Sequence, residues 1–293
     1  MPLYQLVETE PNLANPVLVV AFDGWVDGGR AGTMAAEQLA EGGRRVATFD
    51  ADQLYDYRAR RPTLDIVDGR LIDLDWPELA MVARRVEDRD LLVLTGPEPD
   101  YRWKALATDT VELGKRMGVT TWVSLGAIPA TVPHTRPVPI LGTASVPGLL
   151  PQGVKQGPDG QLRVPAAFVS VLEHAAARAG IPALGLFAQV PHYASGAFPT
   201  AAIELLRQLG AFLGLELPMG NLPARALETR QLLDAAIAAE ERTRAYVERL
   251  EQMADEARLP AGDDLIADIE RFLREGGSGG SGGGGDDGGR KLN

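Results

Sequence analysis

The sequence predicts an α/β fold: a mixed, mostly parallel sheet with flanking helices and a helical C-terminal extension. Three observations carry that prediction. Short apolar runs alternate with amphipathic segments up to about Leu217. Several of the apolar runs end in Gly- or Pro-rich polar loops that lead towards helical patterns, and strands separated by helices pair in parallel beneath helices on both faces. From Ala224 to Arg258 glycine disappears, and Ala, Glu and Arg dominate.

The elements follow in order. Val17–Phe22 is a continuous apolar run and reads as a buried strand. It ends in Asp23-Gly24-Trp25, and a second turn, Asp27-Gly28-Gly29, opens a helix over Ala31–Leu39. Arg45–Phe49 is the next strand. Leu64–Val67 and Leu71–Leu74 flank Asp68-Gly69, a type I′ hairpin signal. That hairpin either makes the sheet mixed or sits on it as an insertion. Strands over Leu91–Thr95, Thr121–Leu125 and Ala183–Val190 alternate with helices over Trp103–Met117, Ala166–Ala179 and Thr200–Leu213. Five prolines from Pro129 to Pro147 stiffen the connection after Leu125.

The C-terminal region carries a partial helical stripe of Leu227, Leu233, Ile237, Val247, Leu250 and Ala254. Glu240 with Arg244, and Arg244 with Glu248, are spaced for i,i+4 pairing. Pro260 to Asp263 ends the helix, and Asp263 is placed to cap a shorter one through Leu273, giving a helical hairpin. The expected division is an α/β core over 1–222, a helical subdomain over 223–275 and a flexible Gly-rich tail over 276–293.

Composition narrows the chemistry. With no cysteine among 293 residues, thiolate catalysis, disulfides and cysteine-ligated metals are excluded. Three histidines leave little for a histidine metal cluster, so neither a metal nor a cofactor is expected. A net charge of −11 argues against a general nucleic-acid or anionic-membrane surface. The N-terminus lacks a basic start followed by an apolar run, and no run is long enough to span a bilayer, so a cytoplasmic protein is expected.

Four strand ends carry polar loops, and a parallel sheet brings them to one edge, where open α/β folds place their sites. The first holds Asp23, Gly24, Asp27 and Gly28 at a helix N-terminus, a position that favours anions. It matches neither nucleotide-binding glycine pattern. The second, Gly96–Lys104, offers Glu98 or Asp100 as a base and Lys104 or Arg102 as an anion holder, against the plainer reading of a capped helix start. The third, Gly126–Arg136, places His134 and Arg136 two apart, on one side of an extended segment, suited to a carboxylate or phosphate guest or, equally, to a hydrogen-bonded loop anchor. The fourth, Pro191–Ser195, holds His192 and Tyr193. His192 with Ser195 lacks a nucleophile elbow and a third member.

At these same loops, Leu18–Gly29, Trp103-Lys104, Ala127–Pro129, Pro133–Pro137 and Pro191–Tyr193, the chain resembles the actinobacterial branch of the proteasome assembly chaperone two family, over roughly residues 3–273. The resemblance implies a phosphorylase/hydrolase-like α/β fold, a ring-like homo-oligomer with a trimer as first expectation, and proteasome subunits as partners. It carries no expectation of nucleic-acid or membrane binding. Relatives that engage the proteasome directly can end in a hydrophobic-Tyr-any tail. The sequence here ends Arg290–Asn293 without that tyrosine, so docking through this terminus is not expected. Two readings stand. One is a non-enzymatic assembly chaperone. The other is an enzyme or binding protein for a small anionic or nucleoside-like ligand, with Asp23 or Glu98 as acid/base and Lys104, His134 and Arg136 on the anion. Buried, perturbed ionisable groups at the loop edge would favour the second; exposed apolar surface there or on the C-terminal helices would favour the first.

Overall fold

The computed structural model of the chain describes residues 2–7, 12–158 and 160–257. The chain opens with β1 (Tyr4–Leu6) and β2 (Val17–Asp23), then α1 (Ala31–Ala40), β3 (Arg44–Phe49) and a one-turn α2 (Ala51–Leu54). A hairpin, β4 (Thr63–Val67) and β5 (Arg70–Asp75), precedes β6 (Ala80–Val86) and β7 (Arg89–Pro97). Next come α3 (Trp103–Arg116), β8 (Thr121–Ala130), β9 (Ile140–Ala144), β10 (Lys155–Gln156) and α4 (Phe168–Arg178). β11 (Ala183–Pro191), α5 (Pro199–Leu213), α6 (Leu222–Ala238) and α7 (Glu241–Glu256) complete the described chain.

Nine strands form one sheet in the order β1-β3-β6-β7-β2-β8-β11-β9-β10. The centre, β7-β2-β8-β11, is parallel throughout. β1 and β6 pair antiparallel with their neighbours, and β9 runs antiparallel to β11 and parallel to β10, so the sheet is mixed at both flanks. β2 shows why its sequence is a continuous apolar run. Leu18, Val20 and Phe22 face the core beneath α3 and α4, whereas Val17, Val19 and Ala21 face the core beneath α1 and α5. Each residue of a strand covered on both faces must be apolar, whichever way it points.

Several expectations need correction. β8 runs five residues past Leu125, through Gly126 and Pro129 to Ala130, so much of the third loop is strand. It stays in the ladder because β11 pairs with it in parallel register out to Pro191. The proline-rich connection contains β9, which lies antiparallel on β11. The hairpin follows the second of its two expected readings, an insertion: β4 and β5 form their own two-stranded sheet outside the large one. Its turn has the expected form, with φ of +50° at Asp68 and +74° at Gly69. The C-terminal helix breaks at Ala239-Glu240, where Glu240 is extended, rather than first at Pro260. The helix expected over Asp263–Leu273 and the Gly-rich tail lie outside the described residues.

α6 and α7 bury little. Of their residues only Leu222, Ile237, Val247 and Leu250 are buried, and Leu227 of the expected stripe is exposed. Arg244 reaches Glu248 as expected, but its other partner is Glu241 in place of Glu240. No helix among the described residues is long and apolar enough to cross a membrane.

Candidate functional site

Parallel pairing of β7, β2, β8 and β11 brings the four loops to one edge, where backbone bonds stitch them together. Glu98 N–H donates to the Asp23 carbonyl (2.9 Å) and Ala127 N–H to that of Val26 (3.1 Å). His192 N–H donates to the Ala130 carbonyl (3.1 Å), and Phe198 N–H returns to Gly29 (2.8 Å). The candidate residues then fall into two clusters.

In the first cluster the carboxylates serve the backbone. Glu98 accepts from Trp25 N–H (3.1 Å) and from Phe168 N–H (2.6 Å), tying the β2 loop to the start of α4. Gly24 makes this possible, since a Cβ there would lie 2.5 Å from Glu98 Oε2. Gly24→Ala is therefore expected to displace Glu98 and cost about 1–3 kcal/mol in urea denaturation, since two backbone donors lose their acceptor. Asp27 is buried and caps α1: Gly32 N–H donates to its Oδ1 (2.7 Å), and the Thr33 hydroxyl donates to its Oδ2. Gly28 opens the turn between Asp27 and α1. The first-turn amides that the sequence offers to an anion are thus occupied by the chain's own carboxylate. Burial, assisted by the negative charge of Asp23, raises the Asp27 pKa to about 6 despite these hydrogen bonds. Asp100 accepts from Asp56 N–H (2.9 Å) and pairs with Arg60, while Arg102 donates to Gln53 (3.0 Å). Asp23 and Lys104 are exposed.

The second cluster joins the sheet edge to the C-terminal helices. His134, whose side chain is 1% exposed, lies 2.9 Å from Asp234 of α6 through Nε2 and 2.8 Å from Tyr193 Oη through Nδ1. An ionised carboxylate only accepts, so Nε2 carries the proton and Nδ1 accepts from the tyrosine. Burial raises the Tyr193 pKa, keeping its hydroxyl protonated as that donor. Burial works against the Asp234 charge, but hydrogen bonds from His134 and Arg230 outweigh it and hold its carboxyl below the usual range. Arg136 is bound through two nitrogens by Asp255 of α7, each at 2.7 Å, and approaches Glu251 at 3.5 Å. His192, exposed, sits between the Ala130 carbonyl (3.1 Å) and Tyr246 of α7 (3.4 Å).

His134 and Arg136 do face carboxylates, as their spacing suggests, but the carboxylates belong to α6 and α7. The sequence reading missed Asp234, Glu251, Asp255 and Tyr246 as partners because nothing local in the sequence links them to a loop about 50 to 120 residues away. It also passed over Trp25, which is 75% exposed at the head of the edge, between two Asp-Gly turns. Tyr101, 51% exposed, projects from the second loop. A cavity of about 600 Å³ opens between Met34, Glu37, Gln38, Asn221, Leu222 and Arg225, and none of the candidate residues lines it. No group of three or more His, Asp or Glu suited to a metal occurs among the described residues.

A mixed α/β sheet with a clamped helical pair and a paired, aromatic-tipped loop edge defines the class. The PAC2 family profile matches residues 21–237, and the chain belongs to that family. Among solved structures it is similar to a Mycobacterium tuberculosis proteasome-assembly chaperone homologue, Rv2125. The identity is 34% over 79% of this chain and 99% of that one, with a TM-score of 0.71. A PAC2 family protein from Streptomyces avermitilis shares 33% identity over 79% of this chain and 99% of that one, with a TM-score of 0.70. A Corynebacterium glutamicum protein of unknown function shares 30% identity over 86% and 97%, with a TM-score of 0.80. A search of the curated proteins returned no match.

Proposed function

We propose that this chain is a non-enzymatic, oligomeric assembly chaperone of the actinobacterial PAC2 type, working in the cytoplasm with proteasome subunits as its clients. The loop edge is its contact face, and α6–α7 is a helical subdomain braced against that face. One observation carries the reading. Four of the charged groups that an anion site would use, Glu98, Asp27, His134 and Arg136, bind groups of the chain itself, whereas Trp25 stands exposed. An apolar residue presented by a rigid edge suits protein contact. The 34% identity to the Mycobacterium tuberculosis proteasome-assembly chaperone homologue supports the choice of client.

Affinity capture of the full-length protein from its own cytosol, with mass spectrometry of bound proteins and small molecules, tests this. Proteasome α or β subunits are expected in the eluate of the wild type and depleted at least several-fold for Trp25→Ala, whose melting temperature stays unchanged. A retained metabolite without any proteasome subunit overturns the reading and returns the edge to an enzyme or ligand-binding role.

A further inference from the structure

Helix α4 presses a carboxyl without a counter-ion against the sheet. Register sets Ser124 of β8 and Thr143 of β9 on either side of Gly185 in β11, so the three form one row on one face. Glu173 of α4 lies over that row. The Thr143 hydroxyl donates to its Oε1 at 2.6 Å. A Cβ at residue 185 would come within 2.6 Å of both Glu173 Oε2 and Thr143 Oγ1, so the glycine leaves the socket that the carboxyl fills. The Ser124 hydroxyl, buried across the socket, bonds no other group.

No charge among the described residues answers this carboxyl. β8, β9 and β11 contain no ionisable residue. β2, also beneath α4, has only Asp23, at its exposed end. On α4 itself, His174 and Arg178 are exposed. On α3, which packs against α4, Lys104, Glu112, Lys115 and Arg116 are exposed, and Asp109 is turned to Leu3 N–H. Glu173 therefore meets hydroxyls alone. Burial prevails over them and pushes its carboxyl above the usual range.

We propose that Glu173 is a proton-controlled latch for α4. While the carboxyl is neutral the helix lies closed on β9 and β11; once ionised, the charge draws water into the socket and α4 opens more readily. The latch reaches the loop edge, because α4 begins at Phe168, whose N–H is held by the same Glu98 carboxylate that holds Trp25 N–H. The closed form binds the proton more tightly than the open form, so closure is firmest below the ordinary glutamate value of 4.5. It weakens by about 10-fold per pH unit until the pH passes the group's own higher value, and is constant beyond.

Amide exchange of the full-length protein, corrected for the intrinsic pH dependence of exchange, tests this in wild type and in Glu173→Gln, whose carboxamide keeps an acceptor for Thr143. Exchange across residues 168–178 is expected to quicken with pH above 4.5 in the wild type and to stay level in the variant, with β2 exchanging alike in the two. Asp27 also titrates above its ordinary value, but it caps α1 and is present in both proteins, so the comparison cancels it. Carbon-13 NMR of the Glu173 carboxyl in the wild type reads its titration directly, whatever the variant's folding. A carboxyl that titrates at or below 4.5, a level wild-type profile, or a rise that persists in Glu173→Gln each overturns the latch. A difference between the two proteins that reaches β2 as fully as α4 assigns the effect to global unfolding and overturns it as well.

Discussion

His134→Ala is expected to release α6 and α7 from the sheet edge while leaving the sheet folded. The imidazole is the buried centre of a chain from Tyr193 through His134 to Asp234. Truncation removes both hydrogen bonds, leaves a partly buried hydroxyl without its acceptor, and opens space where the buried ring lay against Tyr193. Losses of this kind cost about 2–4 kcal/mol. They fall on helices that have only Leu222, Ile237, Val247 and Leu250 as buried anchors, so the cost appears as local opening more than as global unfolding. Amide exchange across residues 222–257 should quicken by roughly 100-fold, with β2 and β8 unchanged. Uniform acceleration through the sheet would show that the helices do not open separately. Arg136→Ala should do less, since its partner Asp255 is 52% exposed and such pairs contribute little. Acid should mimic the effect. The Asp234 pKa is depressed, so the stability it supplies is complete above the ordinary carboxylate value and fades as pH falls through the depressed one.

The second large effect has the opposite sign. Asp27 is raised from 3.8 to about 6 by burial, so it favours the folded state when protonated. Between those values the native protein holds a proton that the unfolded chain has lost. Stability from this group is therefore greatest below about pH 4 and declines as pH rises through 6. Two units correspond to roughly 3 kcal/mol of cost at neutral pH and above. Asp27→Asn keeps an acceptor for Gly32 N–H and abolishes the ionisation. Urea denaturation should find the variant more stable by up to about 3 kcal/mol at pH 8 and equal to wild type near pH 4. A difference that does not change with pH would exclude burial of this charge as the cause.

The reach of sequence reading was set by the range of the interactions involved. Val17–Phe22, Leu91–Thr95 and Ala183–Val190 were legible because double-sided burial writes itself as an apolar run. Asp68-Gly69 announced its turn because few other pairs accept two positive φ values at once. β6 went unread because Arg84 and Arg85 interrupt its pattern near a strand end, and β9 because prolines surround it. The extension of β8 through Pro129 is decided by its partner β11, not by its own residues.

The site shows the same division. Sequence alone determined that polar loops follow the strands, and that His134 and Arg136, two apart, suit an anionic partner or a hydrogen-bonded anchor. It determined as well that Asp27 stands at a helix N-terminus, because charge, spacing and capping are local properties. Only the tertiary structure decided that the chain's own carboxylates fill that role, because Asp234 and Asp255 lie 100 and 119 residues along the chain from their partners. A pairing that distant is fixed by the packing of α6 and α7 against the edge. The same packing withdraws His134 and Arg136 from a guest, while Trp25, Asp23 and Lys104 stay exposed on the loops.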